Sequence, residues 1–471
     1  MATTTAPILS LNPATEEVIA SFEPFTSAQV EGAVADAQRA FVVWRERSIA
    51  ERAKPMRALA EVLRRRHDEY AKLITLEMGK PIAESRAEIE KCAWGCEFYA
   101  ENAARFLADE PVSTNAKRSL VAFEPLGVVL AVMPWNFPFW QVIRFAAPAL
   151  MAGNGAVLKH ASNVPQCALA VEQAFASAGF PQGLFRTVLL SGSAVEPLIA
   201  DDRIRAVTLT GSSDTGSRIA SLAGRALKKT VLELGGSDPF IVLPDADLDA
   251  AATAAVKARN QNAGQSCIAA KRFIVAEPVA ADFEKRFAAA AASLTVGDPM
   301  DARTQVGPLA RADLREALER QVDASVRMGA RVLTGGSRRE GRGFFYAPTV
   351  LADVTEDMPV FREETFGPVA AVLRVRDADA AVRVANDSAY GLGASLWTRD
   401  LALGEAVARR IESGSVFVNG IVASDPRLPF GGVKRSGYGR ELSSFGIREF
   451  TNVQTIWIGP AEQPSTKPAA E

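Results

Sequence analysis

From residue 128 onward, short apolar runs alternate with helical stretches, and that alternation leaves few architectures open to the chain. The first runs are Val128 to Met133, Ala156 to Leu158, Leu184 to Leu190, Ala206 to Thr210 and Thr230 to Leu234. Strands separated by helices cannot pair as tight hairpins; they pair in parallel through crossovers, with helices covering both faces of the sheet. A second alternating set begins near residue 237, with runs at Phe240 to Leu243, Phe273 to Val275, Arg331 to Leu333, Ala370 to Val375, Ala394 to Trp397 and Ser415 to Val418. The chain has 471 residues, too many for one typical core, so two α/β domains are expected.

The flanks read differently. Residues 26–110 carry apolar residues at three- and four-residue spacing (Ala33, Ala37, Phe41, Trp44; then Met56, Leu59, Leu63, Leu73), which predicts helices. Ser119 to Gly127 reads as a strand ending in a turn, and Thr451 to Ile458 as a last strand without an obvious partner. Residues 460–471, rich in Pro, Ala and Glu, read as a disordered tail.

Composition removes several classes of function. A net charge of −2 gives no sign of a nucleic-acid or anionic-membrane partner, and the Arg64 to Arg66 run reads as a solvated helix face. No apolar run is long enough to span a bilayer, and Met1 to Ser10 lacks the pattern of a signal peptide. Four scattered cysteines (Cys92, Cys96, Cys167, Cys267) fit a reduced, cytoplasmic setting. With only His67 and His160 in the chain, neither a histidine-activated nucleophile nor a His/Cys metal site is well supplied, and no metal is expected.

Chemistry gathers around Cys267, in Asn262-Ala-Gly-Gln-Ser-Cys267, and Glu233, in Glu233-Leu-Gly-Gly236. A thiol adds to carbonyls, and a separate carboxylate can activate water to release the product. Other motifs have two readings each. Gly211-Ser-Ser-Asp-Thr-Gly216, between a strand and a helix, is either a pyrophosphate seat or a plain turn. Pro134-Trp-Asn-Phe-Pro138 holds Asn136 on a rigid turn, as an oxyanion donor or as an amide bonded to its own backbone. Arg144, in an apolar helix start, is either paired with an acid or aimed into a pocket. Glu363-Glu364 stands before a Gly-Pro turn, where surface acids are the plain alternative. The glycine-rich stretch from Pro429 to Glu441 is either a phosphate loop or a tight loop packed between domains.

Together the strings Pro134-Trp-Asn-Phe-Pro138, Leu232-Glu-Leu-Gly-Gly236, Gly264-Gln-Ser-Cys267, Glu363-Glu-Thr-Phe-Gly-Pro368, Pro429-Phe-Gly-Gly432 and Ser436-Gly-Tyr-Gly-Arg-Glu441 resemble the aldehyde dehydrogenase superfamily, from about Asn12 to Ile458. The resemblance implies two doubly wound α/β domains and a small β oligomerisation module. Residues 1–113 and 131–235 would bind cofactor, 236–434 would form the catalytic domain, and 114–130 with 450–459 would form the module of a homodimer or dimer of dimers. It implies Cys267 as nucleophile, Asn136 and the Cys267 N–H as oxyanion donors, Glu233 as the water activator and Glu441 as a proton relay. Trp135, Lys159, Ser162, Gly211, Ser212, Leu234, Glu364 and Phe366 would hold the dinucleotide.

Phe139-Trp-Gln-Val-Ile-Arg144, Lys159-His-Ala-Ser-Asn163, Gly235-Gly-Ser-Asp-Pro239 and Ala423-Ser-Asp-Pro-Arg427 resemble the short succinate-semialdehyde dehydrogenases. That narrower resemblance implies Arg144 and Ser424 at the distal carboxylate of the substrate, and Ser266, next to the thiol, is expected among the substrate-binding residues as well. Succinate semialdehyde is the expected substrate and glutarate semialdehyde the near alternative. Ser162 is uncharged where NAD-selective relatives commonly carry a glutamate, with Lys159 and His160 beside it, so NADP⁺ is expected in preference to NAD⁺. Phe145 stands where many relatives carry a lysine near the thiol, so thiolate formation is expected to rely on the nicotinamide and backbone dipoles. A catalytically retired protein on the same fold would be expected to lose the thiol or the base, and acyl transfer to coenzyme A would not need Glu233.

Overall fold

The structure, a computed structural model, describes residues 6–190 and 192–459. The tail expected at 460–471 lies outside the described residues. Four helices precede the sheets: Ser27–Trp44, Ile49–Arg65, His67–Met78 and Ile82–Phe106. Thr26 with Gln29, and Ser48 with Glu51, form reciprocal capping boxes that start the first two. In front of them lies a hairpin, Ile8–Asn12 with Glu17–Phe22, that the periodicity of so short a segment does not announce.

Two large sheets follow. The first has six strands, ordered Gly437–Tyr438, Lys229–Glu233, Ile204–Thr210, Val128–Met133, Gly155–His160 and Phe185–Thr187; all pair in parallel except Gly437–Tyr438. The second has seven, ordered Arg331–Thr334, Thr349–Ala352, Val369–Val375, Ala270–Ala276, Asp238–Val242, Gly393–Trp397 and Ser415–Val418, with only Arg331–Thr334 antiparallel. Both sheets are covered on both faces, so successive strand residues enter different cores. Val129 and Ala131 pack on one side of the first sheet and Val128 and Leu130 on the other. Ile241 and Ile274 divide from Phe240 and Phe273 in the same way in the second. Burial on both faces is why these strands read as continuous apolar runs.

In the first sheet the chain starts at Val128–Met133, moves outward through Gly155–His160 and Phe185–Thr187, then returns to the other side at Ile204–Thr210. The strand order reverses between Val128–Met133 and Ile204–Thr210, and the crevice at such a reversal is where open α/β sheets receive ligands.

The strand Val128–Met133 lies wholly in the six-stranded sheet, so a boundary at 131 cuts through an element. Gly437–Tyr438 returns to the same sheet after the second one is complete. A separate three-stranded sheet joins Glu110–Pro111, Arg118–Pro125 and Thr451–Ile458; the last strand finds its partner along its whole length, Thr451 opposite Pro125 through Ile458 opposite Arg118. No described helix is long and apolar enough to cross a membrane.

Candidate active site

Cys267 precedes the strand Ala270–Ala276 and so stands at the amino end of the seven-stranded sheet, whereas Glu233 ends a strand of the six-stranded sheet. The site therefore lies where the carboxyl ends of one sheet meet the amino ends of the other. Pattern reading directs attention to carboxyl ends, and only the packing of the two sheets brings the Cys267 thiol there.

The turn that carries Cys267 is tightly held. Asn262 and Ala263 adopt left-handed φ values of 55° and 52°, a conformation that costs energy outside glycine and persists only where the surroundings enforce it. Arg259, itself buried, donates to the Gly264 carbonyl at 2.7 Å, and the Asn262 amide donates to the carbonyls of Asn136 and Gln265 at 2.8 and 3.1 Å. A Cβ on Gly264 would lie 2.3 Å from the Gly367 carbonyl oxygen, so that position is closed to a side chain. One amide N–H of Asn136 donates to the Gln265 carbonyl at 3.0 Å rather than to its own backbone. The amide has a second N–H to offer, beside the turn that carries the thiol.

The Pro134 to Pro138 turn is supported from two sides. Buried Glu88, ion-paired with buried Lys80, accepts from the N–H groups of Phe139 and Trp140 at 2.9 and 3.0 Å, satisfying donors at the start of the helix Trp140–Met151. His160 contacts the Pro138 carbonyl through Nε2 at 2.9 Å, and its Nδ1 accepts from Ala161 N–H. Burial pushes the His160 pKa down to about 4, so this neutral ring is a prop for the turn and not the phosphate-side cation its place in the sequence implied.

Arg144, Cys267, Ser266, Ser424, Lys91, Glu88 and Glu84 line one cavity of about 160 Å³. Arg144 is buried, forms an ion pair with Glu441, lies 4.7 Å over the Phe430 ring and donates to Thr210 at 3.3 Å. It is thus both paired with an acid and aimed into a pocket. Glu233 is buried, and neither of its carboxylate oxygens has a hydrogen-bond partner among the described residues. Burial, with the like charge of Glu441, pushes its pKa well above the usual carboxylate range, against the pull of Arg144. Burial also raises Glu441, opposed by the same arginine.

The half-buried Cys267 has its thiol pushed up to about 12 by desolvation, opposed first by Arg144 and then by Lys271. Lys271 is fully buried; its ammonium donates to the carbonyls of Ser266, Cys267 and Ala269 at 3.0, 2.9 and 3.3 Å and lies 3.6 Å from Glu364. Two protein cations therefore act on the thiol, which corrects the expectation that nicotinamide and backbone dipoles alone must serve. Phe145 is core, packed edge-on against Phe450. Lys271 was legible only as the first of two cations, Lys271 and Arg272, that open an apolar run, a signal that an amphipathic strand would also produce.

On the cofactor side, Trp135, Lys159, Ser162, Gly211, Ser212 and Leu234 all stand at or just beyond carboxyl ends of the six-stranded sheet. Ser212 caps the helix Ser213–Arg225 by accepting from Thr215 N–H, Lys159 is buried and Ser162 is exposed. A Cβ on Gly216 would lie 2.4 Å from Leu234, so this glycine admits the helix to the sheet. Glu364 accepts from Gly236 N–H at 3.0 Å, and Phe366 meets Trp135 edge-on at 5.8 Å. A half-buried acid, an aromatic pair, a buried lysine and a capped helix start along one row of strand ends fit a dinucleotide. The glycine-rich stretch 429–441 is a packed interdomain loop: Ser436 donates to the Gly235 carbonyl and accepts from Gly391 N–H, and a Cβ on Gly431 would lie 2.7 Å from Glu233. Cys92, Cys96 and Cys167 are buried and free, with no part in the cavity. Among the described residues no cluster of His, Cys, Asp and Glu is able to hold a metal ion.

A thiol, a carboxylate raised toward basicity and a fixed amide on this two-sheet frame define a class: the chain belongs to the aldehyde dehydrogenase family, whose sequence model matches residues 1–456. Within that family it is 52% identical over 451 residues to a probable succinate-semialdehyde dehydrogenase (NADP(+)) of Synechocystis, covering 96% of this chain and 99% of that one. It is equally 52% identical over 455 residues to succinate-semialdehyde dehydrogenase (NADP(+)) 1 of Mycobacterium tuberculosis, covering 96% and 100%. The solved succinic semialdehyde dehydrogenase of Streptococcus pyogenes in complex with NADP+ superposes with a TM-score of 0.94 at 38% identity, covering 96% and 100%.

Proposed function

We propose that this aldehyde dehydrogenase oxidises succinate semialdehyde to succinate with NADP⁺ in preference to NAD⁺. The observation that carries the reading is the cavity itself, which joins the Cys267 thiol to Arg144 and Ser424 in a space suited to a short, acidic aldehyde. The Cys267 thiolate adds to the aldehyde carbon, and the free N–H of Asn136 with the Cys267 backbone N–H receives the oxyanion of the thiohemiacetal. Bound NADP⁺ supplies the hydride acceptor, with Lys159, Ser212, Glu364, Phe366 and Trp135 as its holders. Glu233, whose burial strengthens it as a base, then takes the proton of the water that cleaves the thioester. Glu441, ion-paired with Arg144, would pass that proton on, a role supported by the like charge it sets against Glu233. The uncharged, exposed Ser162 and the NADP(+) designation of the relatives support the cofactor preference. Apolar residues on the edge strand Thr451–Ile458 (Val453, Trp457 and Ile458, 63, 50 and 45% exposed) support assembly as a homodimer or dimer of dimers.

Steady-state rates with succinate semialdehyde and butyraldehyde, each with NADP⁺ and NAD⁺, test the reading. The carboxylate contact sets an expected preference of about a hundredfold in kcat/KM for the acidic aldehyde. Equal rates for the two aldehydes refute the substrate, and formation of a coenzyme A thioester in place of the free acid refutes the hydrolytic role of Glu233.

A further inference from the structure

Ser424 is buried, and its hydroxyl oxygen receives two hydrogen bonds, from Lys91 Nζ at 2.7 Å and from Trp140 Nε1 at 3.0 Å. A hydroxyl oxygen has two lone pairs, so both are taken and its own proton must be donated elsewhere. No described residue accepts it, and Ser424 lines the same cavity as Cys267. The proton therefore offers itself to an acceptor that arrives with the substrate.

The charge balance points the same way. Arg144 is already paired with Glu441, and Glu88 with Lys80, so neither of those cations arrives uncompensated. Lys91 has no carboxylate within ion-pair distance among the described residues; its ammonium lies 4.6 Å over the Trp140 ring, on the cavity wall. Lys91 follows Glu88 by three positions in the helix Ile82–Phe106, so the two share a face. Glu88 caps the helix start at Trp140, which fixes where Lys91 meets Ser424. Trp140 and Arg144 are in turn one helical turn apart, which sets the arginine alongside the serine.

We propose that Lys91 is a specificity residue, the cation that together with the Ser424 hydroxyl seats the distal carboxylate of the substrate, with Arg144 as the compensated second wall. This inference rests on the acidic-aldehyde reading above. The charged and titratable groups around Lys91 are Arg144, Glu88, Asp425 and Cys92, and Glu84 lines the same cavity. Burial and Arg144 push Lys91 down to about 8, so its ammonium persists at neutral pH but is weakened by its surroundings, and an arriving carboxylate stabilises it.

The test compares wild type, Lys91→Met and Lys91→Arg with NADP⁺ and, in turn, succinate semialdehyde and butyraldehyde. Losing a charge-assisted contact lowers the kcat/KM ratio between the two aldehydes by about thirtyfold in Lys91→Met, mainly through KM for succinate semialdehyde. Lys91→Arg restores most of it. A Lys91→Met enzyme with the wild-type ratio overturns the inference; a wild-type enzyme indifferent between the aldehydes overturns the substrate reading instead. If the Met variant does not fold, Lys91→Gln gives the same comparison. In wild type, KM for succinate semialdehyde is expected to rise between pH 8 and 9.5 as Lys91 loses its proton. A KM flat across that range also overturns the inference.

Discussion

Replacing Lys271 by methionine isolates the electrostatic support of the Cys267 thiol. The Lys271 ammonium lies 2.9 Å from the carbonyl oxygen of Cys267, and the charge effect is worked for a separation of roughly 6 Å from the thiol. At an effective dielectric constant of about 20, a unit charge at that distance stabilises the thiolate by about 3 kcal/mol, or about 2 pKa units. Removing it leaves about a hundredfold less thiolate; the thiolate that remains is intrinsically more nucleophilic by nearly tenfold, so the net loss is about tenfold. The assay is the rate of Cys267 alkylation by iodoacetamide from pH 7 to 9.5, followed by mass spectrometry. Because the thiol titrates near 12, the wild-type rate should climb steadily across the range without a plateau. Lys271→Met should run parallel and lower, and Lys271→Arg near wild type. A folded Lys271→Met enzyme that alkylates at the wild-type rate refutes the argument, and a plateau near pH 8 in wild type shows that desolvation of the thiol is less severe than its surroundings imply.

Other outcomes follow from the same geometry. Gly236→Ala sets a methyl 2.5 Å from the Cys267 carbonyl oxygen, so stability should fall by about 1–3 kcal/mol in urea unfolding and turnover should fall more than NADP⁺ affinity. Lys80→Met leaves the Glu88 carboxylate buried without its cation, a loss of about 3–5 kcal/mol visible in the unfolding midpoint; an unchanged midpoint means the helix start alone satisfies that charge. Ser162→Glu should move the kcat/KM ratio toward NAD⁺, and an unchanged ratio removes Ser162 from cofactor choice. Glu233→Gln should retain a single-turnover burst of NADPH while steady-state turnover drops by about 10²–10⁴, whereas loss of the burst as well would place Glu233 earlier in the reaction.

Much of the frame was legible because it is local. Runs such as Val128 to Met133 and Phe240 to Leu243 announce strands covered on both faces, and the spacing of Met56, Leu59 and Leu63 announces a helix. The hairpin Ile8–Asn12 with Glu17–Phe22 and the strand Thr349–Ala352 were not, being short and without clear periodicity. The stretch 429–441 was open to a phosphate loop or a packed interdomain loop, and its glycines take the second reading, closing around Glu233; Gly216 packs against Leu234 and lets its helix approach the sheet. His160 looked like a cation beside the cofactor, and burial makes it a neutral support.

The sequence by itself determined the layers and the strand runs and singled out Cys267, Glu233 and Asn136 as candidates, because periodicity and short motifs are written within a few residues. Only the tertiary structure decided which charges are spent on one another. Lys91 reaches Ser424 across 333 positions, Asn136 reaches Gln265 across 129, and Arg144 closes on Glu441 from another part of the chain. Whether a buried cation is a partner, a prop or a ligand depends on what lies within a few ångströms of it in a medium of low dielectric, and that distance is a property of the packed sheets, not of spacing along the chain.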